Sequence, residues 1–218
     1  GAKARGPALP GRDASINEDQ RLYVQRLATD PWPAVRESAA RALASRCADS
    51  AATRALFAAL HTDKNVDVRR AAATSLTDCR AAGVGDALVR LALEQSAPGD
   101  LRAHAVLELG RLADPALTPA LVAAFATTRK RAFASASEML LGARMAKTLG
   151  RLGDARAASA LREAASDPTF VPVQAAAVEA FAALCPDGAR PLLATLARSD
   201  GPRLVVRAAR LGLARCQR

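Results

Sequence analysis

Four cysteines, two histidines and a recurring arginine are the residue types in this chain that could ligate a metal, attack a carbonyl or hold an anion, so their spacing decides which chemistry is open. Cys47 and Cys79 stand 32 residues apart, and Cys185 and Cys216 stand 31 apart. No Cys-x-x-Cys and no Cys/His ligand spacing occurs, which argues against zinc. Each cysteine ends a predicted helix, and each pair falls in neighbouring repeat units at nearly the same height. Two disulfides, Cys47–Cys79 and Cys185–Cys216, are therefore conceivable in an oxidising compartment. Packed helix axes lie about 8–10 Å apart, however, whereas a disulfide needs Cα atoms within about 7 Å, so the spacing favours buried thiols behaving as small apolar side chains. His61 and His104 have no Ser or Cys nucleophile beside them and read as helix-end or packing residues, since a general base needs a partner within hydrogen-bond reach. Gly83-Val84-Gly85 lacks the Lys and Ser/Thr of a phosphate loop. The expectation is a chain with no catalytic residue, no metal site and no cofactor, and hence not an enzyme.

The elements that position these residues follow from a repeated phrase. Asp30-Pro31-Trp32-Pro33-Ala34-Val35-Arg36, continuing to Ala39 and Leu43, returns 33 residues later as Asp63 through Val68-Arg69 to Ala72 and Leu76. Leu101-Arg102 to Leu109 follows at the same interval, as do the starts at Asp167-Pro168 and Asp200-Gly201-Pro202. A fixed period of roughly 20–50 residues marks a solenoid whose units bury their apolar faces on one another. Leu109-Gly110-Arg111-Leu112 returns as Leu149-Gly150-Arg151-Leu152 only after 40 residues, so the fourth unit carries an insertion around 127–137. It holds Thr127-Thr128-Arg129-Lys130-Arg131 and reads as a surface-loop change, either functional or simply tolerated.

Six units result, with approximate bounds 17–47, 48–81, 82–113, 114–153, 154–186 and 187–218, forming one repeat domain over 17–218. Each reads as two antiparallel helices. The first helices are approximately 17–28, 51–60, 84–94, 117–125, 155–165 and 189–197. The second are approximately 34–46, 66–80, 101–112, 137–152, 171–184 and 203–215. Apolar residues at helical spacing, such as Val68, Ala72 and Leu76, commit one face of each second helix to packing. Asp-Pro and Gly-Pro pairs between the helices are turns. Residues 1–16, with Gly, Pro and charges but no apolar period, read as a flexible leader, and Ser15 or Asn17 as the cap of the first helix. The start at Gly1 fits either a mature sequence after signal removal or an internal boundary, which leaves a periplasmic or secreted location and a cytoplasmic one equally open.

Half the residues are hydrophobic and only 3% aromatic, so the core must be built from alanine, leucine and valine. The net charge of +10 favours acidic partners in general terms, although the basic residues are interspersed with acidic ones. No apolar stretch approaches the roughly 18 residues of a membrane span. A monomer is favoured.

The frame Asp–Val-Arg–Ala–Leu-Gly-x-Leu resembles the HEAT-repeat superfamily, in particular the short bacterial HEAT-like repeats also found in phycobilin lyases, over nearly the whole chain. The fourth unit departs from it, with Leu141-Gly142 in place of Val-Arg, and so does Gln174. The Trp-Leu-Gly-Tyr and Thr-Pro-Leu-His signatures of tetratricopeptide and ankyrin repeats are absent. The resemblance implies an all-α, right-handed α-solenoid of about six helix pairs. It also implies that Arg36, Arg69, Arg102 and Arg207 form a ladder paired to turn carboxylates such as Asp30, Asp63, Asp67 and Asp100, rather than an anion stripe. The second helices would line a concave side, presenting Arg41, Arg70, Leu107, Arg111, Lys147, Arg151 and Arg207 to a partner. The function so implied is a scaffold or adaptor for another protein. The alternative is nucleic-acid binding through the basic face, as in HEAT-like alkylpurine DNA glycosylases, although this face lacks the aromatic residues those enzymes use. A bilin-lyase activity rests on repeat resemblance alone.

Overall fold

The computed structural model describes residues 12–47 and 49–216, with side chains from Glu18 onward, and every regular element among them is helical. The twelve α-helices among the described residues form an all-α solenoid of helical pairs. They are α1 (Arg12–Thr29), α2 (Pro33–Ala42), α3 (Ser50–Thr62), α4 (Val66–Asp78), α5 (Val84–Leu93), α6 (Gly99–Leu112), α7 (Thr118–Arg131), α8 (Ala136–Leu152), α9 (Ala158–Ser166), α10 (Val171–Leu184), α11 (Ala189–Arg198) and α12 (Arg203–Arg215). Short 3-10 turns lead into α7 and α9 and follow α2.

Side chains in the turns set the helix starts. The Asp49 carboxylate accepts from the Ala51 amide at 2.7 Å to open α3, and the Asn65 side chain accepts from the Asp67 and Val68 amides at 2.9 and 3.2 Å to open α4. Ser135 does the same for α8 through the Glu138 amide. Such caps satisfy amides that have no partner inside the helix. The leader's first eleven residues lie outside the described residues. Arg12–Ile16 are already helical, so Ser15 and Asn17 fall inside α1 rather than capping it.

The chain divides into two compact units, one ending at Ala81 and one spanning Ala82–Arg218. In the first, α2 packs on α4, and α1 and α3 close the layer around Leu43, Leu56, Leu60, Val68 and Leu76. In the second, α6, α8, α10 and α12 pack side by side in that order, each paired with the helix before it. The core there is Leu88, Leu101, Leu109, Leu121, Met145 and Leu149, with Phe125 and Phe181 as its large side chains. Small residues allow the close approach: a Cβ at Gly150 of α8 would lie 2.8 Å from the Cα of Ala180 on α10.

Two expectations are corrected. The cysteines are bonded, Cys47 to Cys79 and Cys185 to Cys216, with Cα separations of 5.8 and 5.6 Å. The 8–10 Å argument applies to helix axes, but these residues sit where the chain is leaving its helices. Cys47 follows a 3-10 turn, Cys79 and Cys216 are the residues after α4 and α12, and Cys185 takes a left-handed φ of 42°. There the backbones converge to disulfide range. The insertion at 127–137 is not a loop. Its basic run completes α7, which reaches Arg131, and α8 begins at Ala136, so the extra residues lengthen both helices of the fourth pair.

Candidate functional site

The arginine ladder is a structural clamp. At the fourth position of the second helix, a side chain reaches back to the carbonyls that end the first helix of its own pair. Arg69 Nε donates to Leu60 O at 2.8 Å, Arg102 Nε to Ala92 O at 2.9 Å, and Gln174 Nε2 to Ala165 O at 3.1 Å. Arg36 Nη1 does so to Asp30 O at 3.0 Å. A helix C-terminus leaves such carbonyls without partners, and a cation there also opposes the helix dipole's negative end. Gln174, the apparent departure from the frame, therefore keeps the position's donor role without its charge.

The remaining guanidinium nitrogens reach the next pair. Arg36 forks onto both carboxylate oxygens of Asp63 at 2.8 and 2.9 Å. Burial pushes the Asp63 carboxyl up, but the Arg36 fork and the Asn65 amide outweigh it and hold it below its usual range. Arg102 pairs with Glu138 of α8, a partner outside the predicted turn carboxylates, and both are buried. In the lengthened α8 the repeat frame puts this place at Gly142, the seventh residue of the helix, which carries no side chain to do this. Arg129, from the inserted part of α7, takes the role instead, bonding Asp167 at 2.8 Å and Glu163 at 2.9 Å. Thr169, through hydroxyl and amide, and then Arg129 hold Asp167 below the ordinary carboxylate range. Arg131 donates to Leu93 O at 3.3 Å. Arg207 does not belong to the ladder: Val206 occupies the fourth position of α12, and Arg207 faces solvent.

The predicted binding residues separate by their partners. Within the first unit Arg41 pairs with Glu37 and Arg70 with Asp67 on the same helix, so that stretch is self-neutralised. In the second unit Arg111 Nη1 donates to Glu108 at 2.8 Å, and Lys147 meets Glu179 at 3.2 Å. Arg151 and Arg207 are exposed and form no ion pair among the described residues. Leu107 is 43% exposed on α6. Two residues missing from the prediction complete this face on α8: Leu140, 53% exposed, and Arg144, which likewise has no ion pair among the described residues. With Lys147 and Arg151 they follow helical spacing (i, i+4, i+7, i+11), a legible signal passed over because this unit breaks the repeat frame.

A second feature also escaped the sequence reading. Glu108 of α6 is buried, with His104 Nε2 at 3.3 Å and the donating Arg111 Nη1 at 2.8 Å from its carboxylate, so the three form a His–Glu–Arg cluster along one helix. The spacing i, i+4, i+7 of His104, Glu108 and Arg111 could have shown it. His61, by contrast, is exposed near the end of α3. The lengthened fourth pair also frames a cleft of about 240 Å³ between α7 and α9, lined by Phe125 and by Phe133 and Phe170, whose rings meet edge-on at 4.7 Å.

The sequence profile of HEAT repeats matches residues 20–100 and 134–214. Among solved structures, the chain is similar to the complex of CpcE and CpcF of phycocyanin lyase from Nostoc sp. PCC7120. Identity is 22% and the TM-score 0.55, over 95% of this chain and 77% of that one. It is also similar to human deoxyhypusine hydroxylase in complex with glycerol, at 16% identity and a TM-score of 0.44, over 95% of this chain and 99% of that one. No curated protein matches.

Proposed function

This chain belongs to the HEAT-repeat family, and from that premise we propose that it is a non-catalytic scaffold that binds another protein through the exposed faces of α6 and α8, with Arg207 on α12. The observation that carries this reading is the mixture on α8: Leu140 stands among Arg144, Lys147 and Arg151, and Leu107 lies beside Arg111 on the neighbouring α6. Leucines ringed by cations suit a protein surface that offers apolar side chains and carboxylates together.

Nucleic-acid binding is the weaker reading. A phosphate-tracking surface needs uncompensated cations and, for single strands, rings for bases to stack on. Arg41, Arg70, Arg111 and Lys147 already have carboxylate partners, and no aromatic side chain belongs to the exposed stripe of α8. The two disulfides support the periplasmic or secreted location over the cytoplasmic one.

Affinity capture from the native source tests the proposal, run with the intact chain and with Leu140→Ser/Arg144→Glu/Arg151→Glu, each with and without nuclease. The intact chain is expected to retain a protein that survives nuclease and that the variant loses. Equal recovery by both chains, or loss on nuclease treatment, overturns the assignment.

A further inference from the structure

We propose that the outward face of α12 is the seat for an acidic amphipathic helix of a partner protein, an inference that deepens the protein-binding reading above and rests on it. One side of α12 is committed: Val205, Ala208, Ala209 and Gly212 are buried against α10 and α11. The other side is open. Leu204 and Leu211, each 59% exposed, lie seven residues apart along it, the spacing at which one helix presents a seam to another.

Charge says what covers that seam. Arg203, Arg207, Arg210 and Arg215 flank the leucines, and the helix contains no carboxylate. Among the described residues none of the four forms an ion pair; Arg210 donates only to the Ala197 carbonyl at 3.2 Å. This sets α12 apart from α2, α4 and α6, where exposed arginines have carboxylates on the same helix. Like charges at i, i+3 and i, i+4 repel, and Arg203 in the first turn opposes the positive end of the helix dipole. A row of Asp or Glu laid alongside relieves both, and each guanidinium can engage a carboxylate through two N–H groups. A shallow groove of about 700 Å³ runs along this face from the Ser199–Gly201 turn to Leu211. Its single carboxylate, Asp200, sits in that turn, outside the helix. Phosphate would answer the arginines but not the leucines, whose desolvation needs an apolar partner at matching spacing, which is the helix-in-groove mode.

The test displays a library of helical peptides about four turns long, with charge and apolar positions varied freely, against the immobilised full chain. Enrichment is expected for Leu, Ile or Met at heptad spacing flanked by Asp or Glu. By fluorescence anisotropy the enriched peptides should weaken at least about tenfold on Leu204→Ser/Leu211→Ser, and by a similar factor on Arg203→Gln/Arg207→Gln. Helicity and melting of both variants should be unchanged, because all four side chains are exposed. Enrichment of acidic sequences without apolar spacing, of neutral or basic ones, or of none overturns the proposal. So do selected peptides indifferent to both variants, self-association of the chain that the leucine pair abolishes, or duplex DNA that binds more tightly than any peptide. A control variant outside α6, α8 and α12, Arg90→Gln/Arg162→Gln, should leave peptide affinity unaltered, both arginines being exposed on α5 and α9. If native capture depends on α8 while no peptide seats on α12, this inference fails and the scaffold reading stands.

Discussion

Arg102 and Glu138 form a buried pair in which each charge is acceptable only because the other is present. Arg102→Met alone strands a buried carboxylate and removes the Ala92 clamp, and is expected to destabilise by about 3–5 kcal/mol. The double change Arg102→Met/Glu138→Leu should recover most of that loss, as read from denaturant midpoints in a double-mutant cycle. Asp63 and Asp167 are held below their ordinary 3.8, so both bind protons more weakly in the folded chain than in the unfolded one. Asp154, bonded by Arg156, is held lower still, at about 2. The stability they contribute is therefore complete above about pH 4 and drains away as pH falls through the folded values. Thermal melts from pH 5 to about 2 should show this decline, with a shallower slope in Asp63→Asn; an unchanged slope would remove Asp63 from the account. At this scale the sequence was half legible. Recurrence at one register marked Arg36, Arg69 and Arg102 as a ladder, wrongly with Arg207, and the HEAT resemblance implied that the ladder serves structure. Of their partners only Asp63, for Arg36, was among those expected; Leu60 O, Ala92 O and Glu138 come within reach only once helices are placed.

Helix count and bounds could be read from the 33-residue period, because an apolar stripe and capping residues are local properties of the chain. The same local view misplaced the insertion. Three basic residues without an apolar stripe looked like loop, yet Arg129 and Arg131 satisfy Asp167, Glu163 and the Leu93 carbonyl as part of α7. Tertiary partners turned an unpromising run into helix. Disulfide formation failed to follow from element geometry for the converse reason: axis spacing describes helix middles, and these cysteines are at ends. Because each bond closes a loop of just over thirty residues, removing one should cost about 3–4 kcal/mol by the chain-entropy relation. Thiol titration of the unfolded chain should find no reactive cysteine before reduction and four after it, and reductant should lower the denaturant midpoint in both steps of Cys47→Ala/Cys79→Ala and Cys185→Ala/Cys216→Ala.

For the molecule as a whole, the formal charge of +10 is a poor guide to its partner, since it does not tell matched cations such as Arg41, Arg70, Arg111 and Lys147 from the arginines of α12, which form no ion pair among the described residues. Retention on heparin, through the unmatched arginines of α8 and α12, should fall steeply with salt and be lost by about 0.2 M, where phosphate-type contacts are strongly screened, while capture of the protein partner through Leu107 and Leu140 should persist. Strong heparin retention at that salt would favour nucleic acid. The amino-acid order by itself determined that this chain is a stack of paired helices, because a periodic apolar face on an alanine-rich helix has no outlet except a like neighbour. Only the packed structure decided which charges are spent inside the stack and which remain outside it. Ion pairing depends on distances between residues tens of positions apart, and no local pattern carries those.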